Sequence, residues 1–109
     1  MKLIGVLLIS LCATAYGFNV DSNRVKNHLD SIVLNFPNRN FQNVSTLNEC
    51  AAYISAEFSK YGDSTHYQVF TVQDADYKNV ITSFGPKNAP RIVIGAHYDV
   101  CGYQDGADD

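Results

Sequence analysis

Several features that would assign the chain to a common functional class are missing from its sequence. The 109 residues contain no cluster of basic side chains, and 8 Lys and Arg stand against 11 Asp and Glu, for a formal net charge of −3. A nucleic-acid interface needs a basic surface, so the sequence disfavours nucleic acid as a partner. The composition, 46% hydrophobic and 17% charged, is that of an ordinary globular protein. The length allows one small domain at most.

The sequence also lacks an apolar run long enough to span a bilayer, which takes about 20 residues. Its most apolar stretch, residues 3–13, follows Lys2 and leads to the small residues Ala15 and Gly17. This pattern predicts a secretory signal peptide over residues 1–17, cleaved after Gly17 or alternatively after Ala15. A membrane anchor is the alternative, which the short apolar run disfavours. We therefore expect a secreted protein, extracellular or periplasmic, with its globular part over residues 18–109 and no membrane span after cleavage.

Cysteine is scarce, with three residues in all. Cys12 is expected to leave with the signal peptide, whereas Cys50 and Cys101 would enter an oxidising compartment, in which disulfides persist. These two residues could pair with each other, pair with cysteines beyond the end of the chain, or remain as buried thiols. The sequence leaves these possibilities open.

Residues 18–36 have the spacing of an amphipathic helix. Asp21 or Ser22 is the predicted N-cap, and Pro37 is expected to end the helix. His28 lies near the apolar face and is expected at the surface or at the edge of the core. Apolar residues recur at steps of three and four and form that face: Val25, Leu29, Ile32, Val33 and Phe36.

A second helix is predicted over residues 46–61. Thr46 and Glu49 have the spacing of a capping box, in which each side chain accepts a hydrogen bond from the backbone N–H of the other residue. Gly62 follows the helix at a position where a left-handed C-cap is expected.

Three strands are predicted to follow these helices. Residues 66–73 and 77–85 are rich in β-branched and aromatic residues and read as a hairpin, joined by a turn at residues 74–76. Residues 92–96 form a short, continuous apolar run, which predicts a strand buried on both faces of a parallel sheet. The order of elements therefore predicts an α/β fold.

A candidate metal site follows the third predicted strand. If this strand continues to Asp99, His97 and Asp99 point to the same side, because side chains alternate along a strand. Asp99 could then accept a hydrogen bond from one ring nitrogen of His97 and leave the other nitrogen for a metal. Asp109 could supply a carboxylate oxygen to the same ion, and zinc accepts both kinds of ligand. The alternative is a structural histidine followed by an ordinary turn.

These residues carry a resemblance to a known family. The segment Val93-Ile94-Gly95-Ala96-His97-Tyr98-Asp99, followed by Gly106-Ala107-Asp108-Asp109, resembles the secreted di-zinc aminopeptidases of the bacterial leucyl aminopeptidase and aminopeptidase Y type. The resemblance implies that His97 is a terminal zinc ligand and that Asp109 bridges two zinc ions. It implies that Asp99 serves catalysis as the carboxylate that orients His97. The implied substrate is a peptide with a free N-terminus.

The same resemblance implies a three-layer α/β/α fold with a mixed, mostly parallel sheet. The family's general base and its remaining zinc ligands lie beyond the matched motif, so we expect the chain to be a truncated front part that is inactive alone. Two alternatives with the same fold are a glutaminyl-peptide cyclotransferase, which uses one zinc ion, and a non-catalytic, peptidase-like ectodomain that has lost its zinc ions. The cyclotransferases tend to have Gly-Ala-Thr-Asp at the second motif, where this chain has Gly-Ala-Asp-Asp.

Overall fold

The computed structural model describes residues 19–106. The predicted signal peptide and Asp109 lie outside these residues. The described elements are helix α1 (Ser22–Asn35), helix α2 (Val44–Phe58), strand β1 (Ser64–Val72) and strand β2 (Ala75–Ser83). The predicted order of two helices and a hairpin is confirmed, and the described chain is a small mixed α/β domain.

Helix α1 begins at the predicted cap. The Asp21 carboxylate accepts hydrogen bonds from the backbone N–H groups of Asn23 and Arg24, each at 3.1 Å, which satisfies donors that have no partner within the helix. The helix ends at Asn35, two residues before Pro37. No residue of α1 is buried, so its predicted apolar face is only partly covered by the rest of the described chain.

Helix α2 begins two residues earlier than predicted, and the Thr46–Glu49 capping box is wrong. Asn43 occupies the N-cap without a side-chain hydrogen bond, and Glu49 accepts a 3.3 Å hydrogen bond from Ser45 instead. The earlier start follows from the preceding turn, in which the Asn43 N–H donates to the Asn40 carbonyl at 2.9 Å.

The end of α2 packs closely on β2. Gly62 is not in the predicted left-handed conformation, since the glycines with positive φ in the described chain are Gly85, Gly102 and Gly106. A Cβ atom at Gly62 would lie 2.0 Å from the Thr82 hydroxyl oxygen. Gly62 is therefore required for space between the helix end and the sheet rather than for its φ angle.

The two strands form an antiparallel hairpin with a shorter turn than predicted. Thr71 pairs with Asp76 and Val72 with Ala75, so only Gln73 and Asp74 remain in the turn. Their φ angles of 49° and 63° are those of a type I′ turn, whose twist matches that of the two strands. The prediction of a turn at residues 74–76 is wrong because Ala75 and Asp76 already belong to β2.

The third predicted strand is absent from the described structure. Residues 91–100 have no strand assignment, and Ile92, Val93 and Ile94 are 92%, 91% and 93% exposed. An apolar run becomes a strand only where a neighbour supplies backbone hydrogen bonds, and neither β1 nor β2 pairs with these residues in the described two-stranded sheet. The described sheet is therefore antiparallel and not the mostly parallel sheet that was predicted.

The small core lies against α2. Its buried apolar residues are Leu47, Cys50, Ala51 and Val100, and two polar residues, Arg39 and Asn40, are also buried. Val100 comes from the segment that follows His97, so this segment is packed even though its preceding apolar run is not. Within residues 19–106, no helix is long and apolar enough to cross a membrane.

Candidate metal site

His97 and Asp99 are in contact as predicted, although the strand that was to align them is absent. Nδ1 of His97 lies 3.1 Å from Oδ1 of Asp99 and 3.1 Å from the Asp99 backbone oxygen. Both partners are acceptors, so Nδ1 is the donor in these contacts, and in the neutral ring Nε2 is then the nitrogen that has the lone pair. Nε2 makes no hydrogen bond to residues 19–106. The two side chains are 62% and 59% exposed, which leaves them accessible to an ion from solvent.

Tyr98, between these two residues, is fixed at both ends. Its backbone carbonyl accepts a 2.7 Å hydrogen bond from Nε of Arg39, and its hydroxyl donates to the Lys78 carbonyl on β2. Burial, followed by the charges of Cys50, Asp99 and Tyr67, raises the pKa of the Tyr98 phenol above its ordinary value. The phenol therefore stays protonated, and the hydrogen bond to β2 is kept, well above neutral pH.

Arg39 and Asn40, which we call the Arg39–Asn40 clamp, hold the segment that follows His97. Arg39 is 2% exposed, and its Nη2 donates to the Gly106 carbonyl at 3.0 Å. The Arg39 carbonyl accepts from the Val100 N–H at 3.0 Å, and Nδ2 of Asn40 donates to the Gly102 carbonyl at 2.6 Å. The loop between α1 and α2 thereby contacts residues 98, 100, 102 and 106 through hydrogen bonds.

Gly106, the first residue of the Gly-Ala-Asp-Asp motif, is packed against this clamp. Its φ angle is +60°, and a Cβ atom there would lie 2.2 Å from Cγ1 of Val100 and 3.0 Å from Nη2 of Arg39. Gly102 has a similar φ of +61° but open space around it. Gly106 is thus required for both its conformation and its close packing, whereas Gly102 is required for its conformation alone.

The two cysteines of the described chain are free thiols, with Cys50 buried and Cys101 exposed. The disulfide between them that the sequence allowed is therefore not formed in this structure. Burial raises the pKa of the Cys50 thiol, and the charge of Arg39 partly opposes this effect. Cys50 accordingly matches the alternative of a buried thiol.

His28 has a structural setting away from this site. Its Nδ1 lies 2.7 Å from the hydroxyl of Tyr53, and its ring lines an apolar groove of about 380 Å³ beside α1 and α2. This hydrogen bond to Tyr53 on α2 agrees with the expectation of a histidine at the edge of the core.

The described residues hold only part of a metal site. No group of three or more His, Cys, Asp or Glu side chains within residues 19–106 is placed to hold a metal ion. His97 is the predicted ligand among them, and an imidazole whose other nitrogen donates to a carboxylate is the usual form of a zinc-binding histidine. The chemistry of the His97–Asp99 pair therefore fits zinc, while the predicted ligand Asp109 lies outside the described residues.

Sequence reasoning missed the clamp. Residues 37–44 read as a polar loop, and nothing local distinguishes Arg39 from a solvated arginine, because its partners Tyr98 and Gly106 are far away in sequence. The one available signal was Gly106 itself, since a glycine before two carboxylates can mark a close backbone approach.

Comparison with known proteins finds a partial relative. No protein-family model matches the chain, and no solved structure matches it significantly. The chain is 35% identical over 79 residues to the uncharacterized protein YfbL of Escherichia coli (strain K12), a match that covers 65% of this chain and 24% of YfbL. The chain thus spans about a quarter of the length of this curated relative. Because that protein is uncharacterized, the similarity assigns no activity.

Proposed function

We propose that the chain is the N-terminal portion of a secreted zinc-dependent exopeptidase that removes N-terminal residues from peptides. The observation that carries the proposal is the 3.1 Å contact between Nδ1 of His97 and the Asp99 carboxylate. A carboxylate in this position fixes the tautomer in which Nε2 is a metal ligand. The complete fold in this proposal is a three-layer α/β/α sandwich with a mixed, mostly parallel sheet.

In this proposal each of the three site residues, His97, Asp99 and Asp109, has a separate role. His97 would hold one zinc ion through Nε2, and Asp109 would bridge two. Bound zinc supplies Lewis acidity, which makes water a nucleophile near neutral pH. Asp99 acts through His97, since it accepts the Nδ1 hydrogen and keeps the ring oriented. The general base and the remaining ligands are not assigned to any residue of this chain.

The ligand assignment predicts a ranked loss of zinc and activity. Asp109→Ala should abolish nearly all hydrolysis and lower bound zinc, because it removes the carboxylate shared by both ions. His97→Ala should lower occupancy at one ion. Asp99→Asn keeps the shape but alters the hydrogen bond to His97, and changes of this kind cost about 10–100-fold in affinity or activity.

The measurement is zinc stoichiometry by elemental analysis, together with hydrolysis of an amino-acid p-nitroanilide by the protein expressed from the complete gene. His66→Ala is the matched control, since His66 is an exposed histidine on β1 and its loss should change neither quantity. The 109-residue chain on its own should hydrolyse no substrate and bind zinc weakly. An Asp109→Ala protein that remains active with two zinc ions would refute the assignment.

Export is the second part of the proposal, and it rests on the signal-peptide pattern of residues 1–17. The N-terminus of protein recovered from the medium or periplasm should be Phe18, or Tyr16 if cleavage follows Ala15. A mature protein that still begins at Met1 would contradict export by cleavage.

A further inference from the structure

We infer that Arg39 is a positioning residue for zinc: it makes no hydrogen bond to the His97 side chain, yet it fixes the backbone around Asp99 and at the first residue of the second motif. This inference rests on the proposed function, because it concerns the affinity of that same site. Three observations support it: Arg39 is buried, it is hydrogen-bonded to the peptide groups on both sides of Asp99, and it contacts the second motif.

Burial of Arg39 is costly, and its partners within residues 19–106 are uncharged. A guanidinium loses hydration when it is buried, and apolar residues of similar volume are often at least as stabilising. Within residues 19–106, Arg39 takes part in no ion pair, and its side chain donates to the carbonyl oxygens of Tyr98, Gly106 and, at 3.5 Å, Phe36. The planar guanidinium, with its fixed donor directions, holds these carbonyls in one orientation, which apolar packing does not do.

The backbone on both sides of Asp99 is held by Arg39. The Tyr98 carbonyl, in the peptide group before Asp99, accepts from the Arg39 side chain at 2.7 Å. The Val100 N–H, in the peptide group after Asp99, donates to the Arg39 backbone carbonyl at 3.0 Å. Because both peptide planes are fixed, the two backbone dihedrals of Asp99 are constrained. The direction of its carboxylate toward His97 is constrained with them.

The same guanidinium reaches the second motif. Nη2 of Arg39 holds the Gly106 carbonyl at 3.0 Å, and Gly106 is the first residue of Gly-Ala-Asp-Asp. Asp109, which lies outside the described residues, follows three positions later in the sequence. One buried side chain thus connects the His97–Asp99 pair to the segment that carries the proposed bridging ligand.

Loss of Arg39 should therefore weaken zinc binding without removing a ligand. The segment would have to become ordered when the metal binds, and each ordered residue opposes binding by loss of backbone entropy. We expect Arg39→Ala to weaken zinc affinity about 10–100-fold, the range seen for other residues that support metal ligands. Arg39→Lys keeps the charge and one donor group but not the fork, so it should recover part of the affinity.

The test titrates zinc ion alone into the protein expressed from the complete gene, in competition with a chromophoric chelator, and follows backbone amide exchange by NMR in the same samples. The variants are Arg39→Ala, Arg39→Lys, Asn40→Ala and His97→Ala. Arg91→Ala is the matched control, because Arg91 is exposed and its side chain makes one hydrogen bond within residues 19–106, to the Lys87 carbonyl at 3.4 Å. Arg39→Ala should speed exchange of the Val100 amide, while the amides of α2 and the hairpin keep their protection.

The possible outcomes separate the two proposals. Zinc binding that depends on His97, weakens in Arg39→Ala and partly returns in Arg39→Lys supports the inference. Binding that depends on His97 but is unchanged in every Arg39 variant overturns the positioning role and leaves the proposed function standing. Absence of His97-dependent binding in the wild-type chain overturns the proposed function and this inference with it. If Arg39→Ala does not fold, Arg39→Lys and Asn40→Ala decide the question by the same criteria.

Discussion

Replacement of Gly106 by alanine should open the packed end of the molecule, and the same change at Gly102 should not. The two glycines have nearly equal φ angles, +60° and +61°. Alanine in this left-handed region costs about 1–2 kcal/mol, and the lower entropy of its unfolded state offsets about 0.4–1 kcal/mol. Gly102→Ala should therefore destabilise the folded chain by only about 0–1.6 kcal/mol.

At Gly106 a steric term adds to this conformational cost. The new Cβ would lie 2.2 Å from Cγ1 of Val100, which is buried, and 3.0 Å from Nη2 of Arg39. Neither neighbour can move freely, and overpacking of this kind costs about 1–3 kcal/mol. Gly106→Ala should therefore destabilise the folded chain by about 1–3 kcal/mol more than Gly102→Ala does. This difference corresponds to about a 5- to 150-fold greater population of the opened state.

Cys50 provides the assay for this opening. Its thiol is fully buried and close enough to Arg39 for the arginine charge to affect its pKa, whereas Cys101 is exposed. The rate of Cys50 alkylation by iodoacetamide, resolved by peptide mass spectrometry, should rise in proportion to the opened population. Alkylation of Cys101 in the same sample checks the reagent. Equal Cys50 rates in the two alanine variants would refute the steric argument.

Two further predictions concern the thiol and the exposed apolar segment. Because burial raises the folded-state pKa of Cys50 above its unfolded value, its contribution to stability is complete below the unfolded pKa and is lost as pH rises through the folded pKa. The thermal midpoint should therefore fall above about pH 9, and this fall should be smaller in Cys50→Ala but unchanged in Cys101→Ala. Because Val93 is 91% exposed within an apolar run, we expect the chain to associate as its concentration rises, which light scattering would measure. Val93→Lys should reduce this association and raise soluble yield, because a charge there opposes strand pairing. If association is unchanged in Val93→Lys, the copies of the chain contact one another through a different surface.

Local sequence signals predicted the parts of the fold that depend on near neighbours. The Asp21 cap and the end of α1 before Pro37 were found because a helix boundary is set within a few residues. The hairpin was found because its residue types favour strands. Its turn was misplaced because Gln73 and Asp74 adopt positive φ without the Asn-Gly or Asp-Gly sequence that marks a type I′ turn.

Signals of this kind failed where distant residues decide the structure. The apolar run at residues 92–96 predicted burial, but burial requires neighbouring strands, and residues 19–106 provide none for it. Arg39 read as a solvated loop residue because its hydrogen-bond partners, Tyr98 and Gly106, lie 59 and 67 positions away. Composition and periodicity describe a residue's own segment and carry no information on such partners.

The candidate site illustrates how a correct contact can have a different cause from the predicted one. Strand alternation was expected to place His97 and Asp99 on one side, and in the structure their segment forms no strand. The 3.1 Å contact is instead accompanied by two hydrogen bonds at the peptide groups around Asp99: Nε of Arg39 donates to the Tyr98 carbonyl, and the Val100 N–H donates to the Arg39 carbonyl. The geometry on which the zinc proposal depends therefore does not require residues 92–96 to be part of a sheet. In the positioning role inferred for Arg39, it depends instead on the packing of the loop between α1 and α2 against residues 98–106. Arg39, like Asp99, is then a residue whose replacement should weaken zinc binding without removal of a ligand.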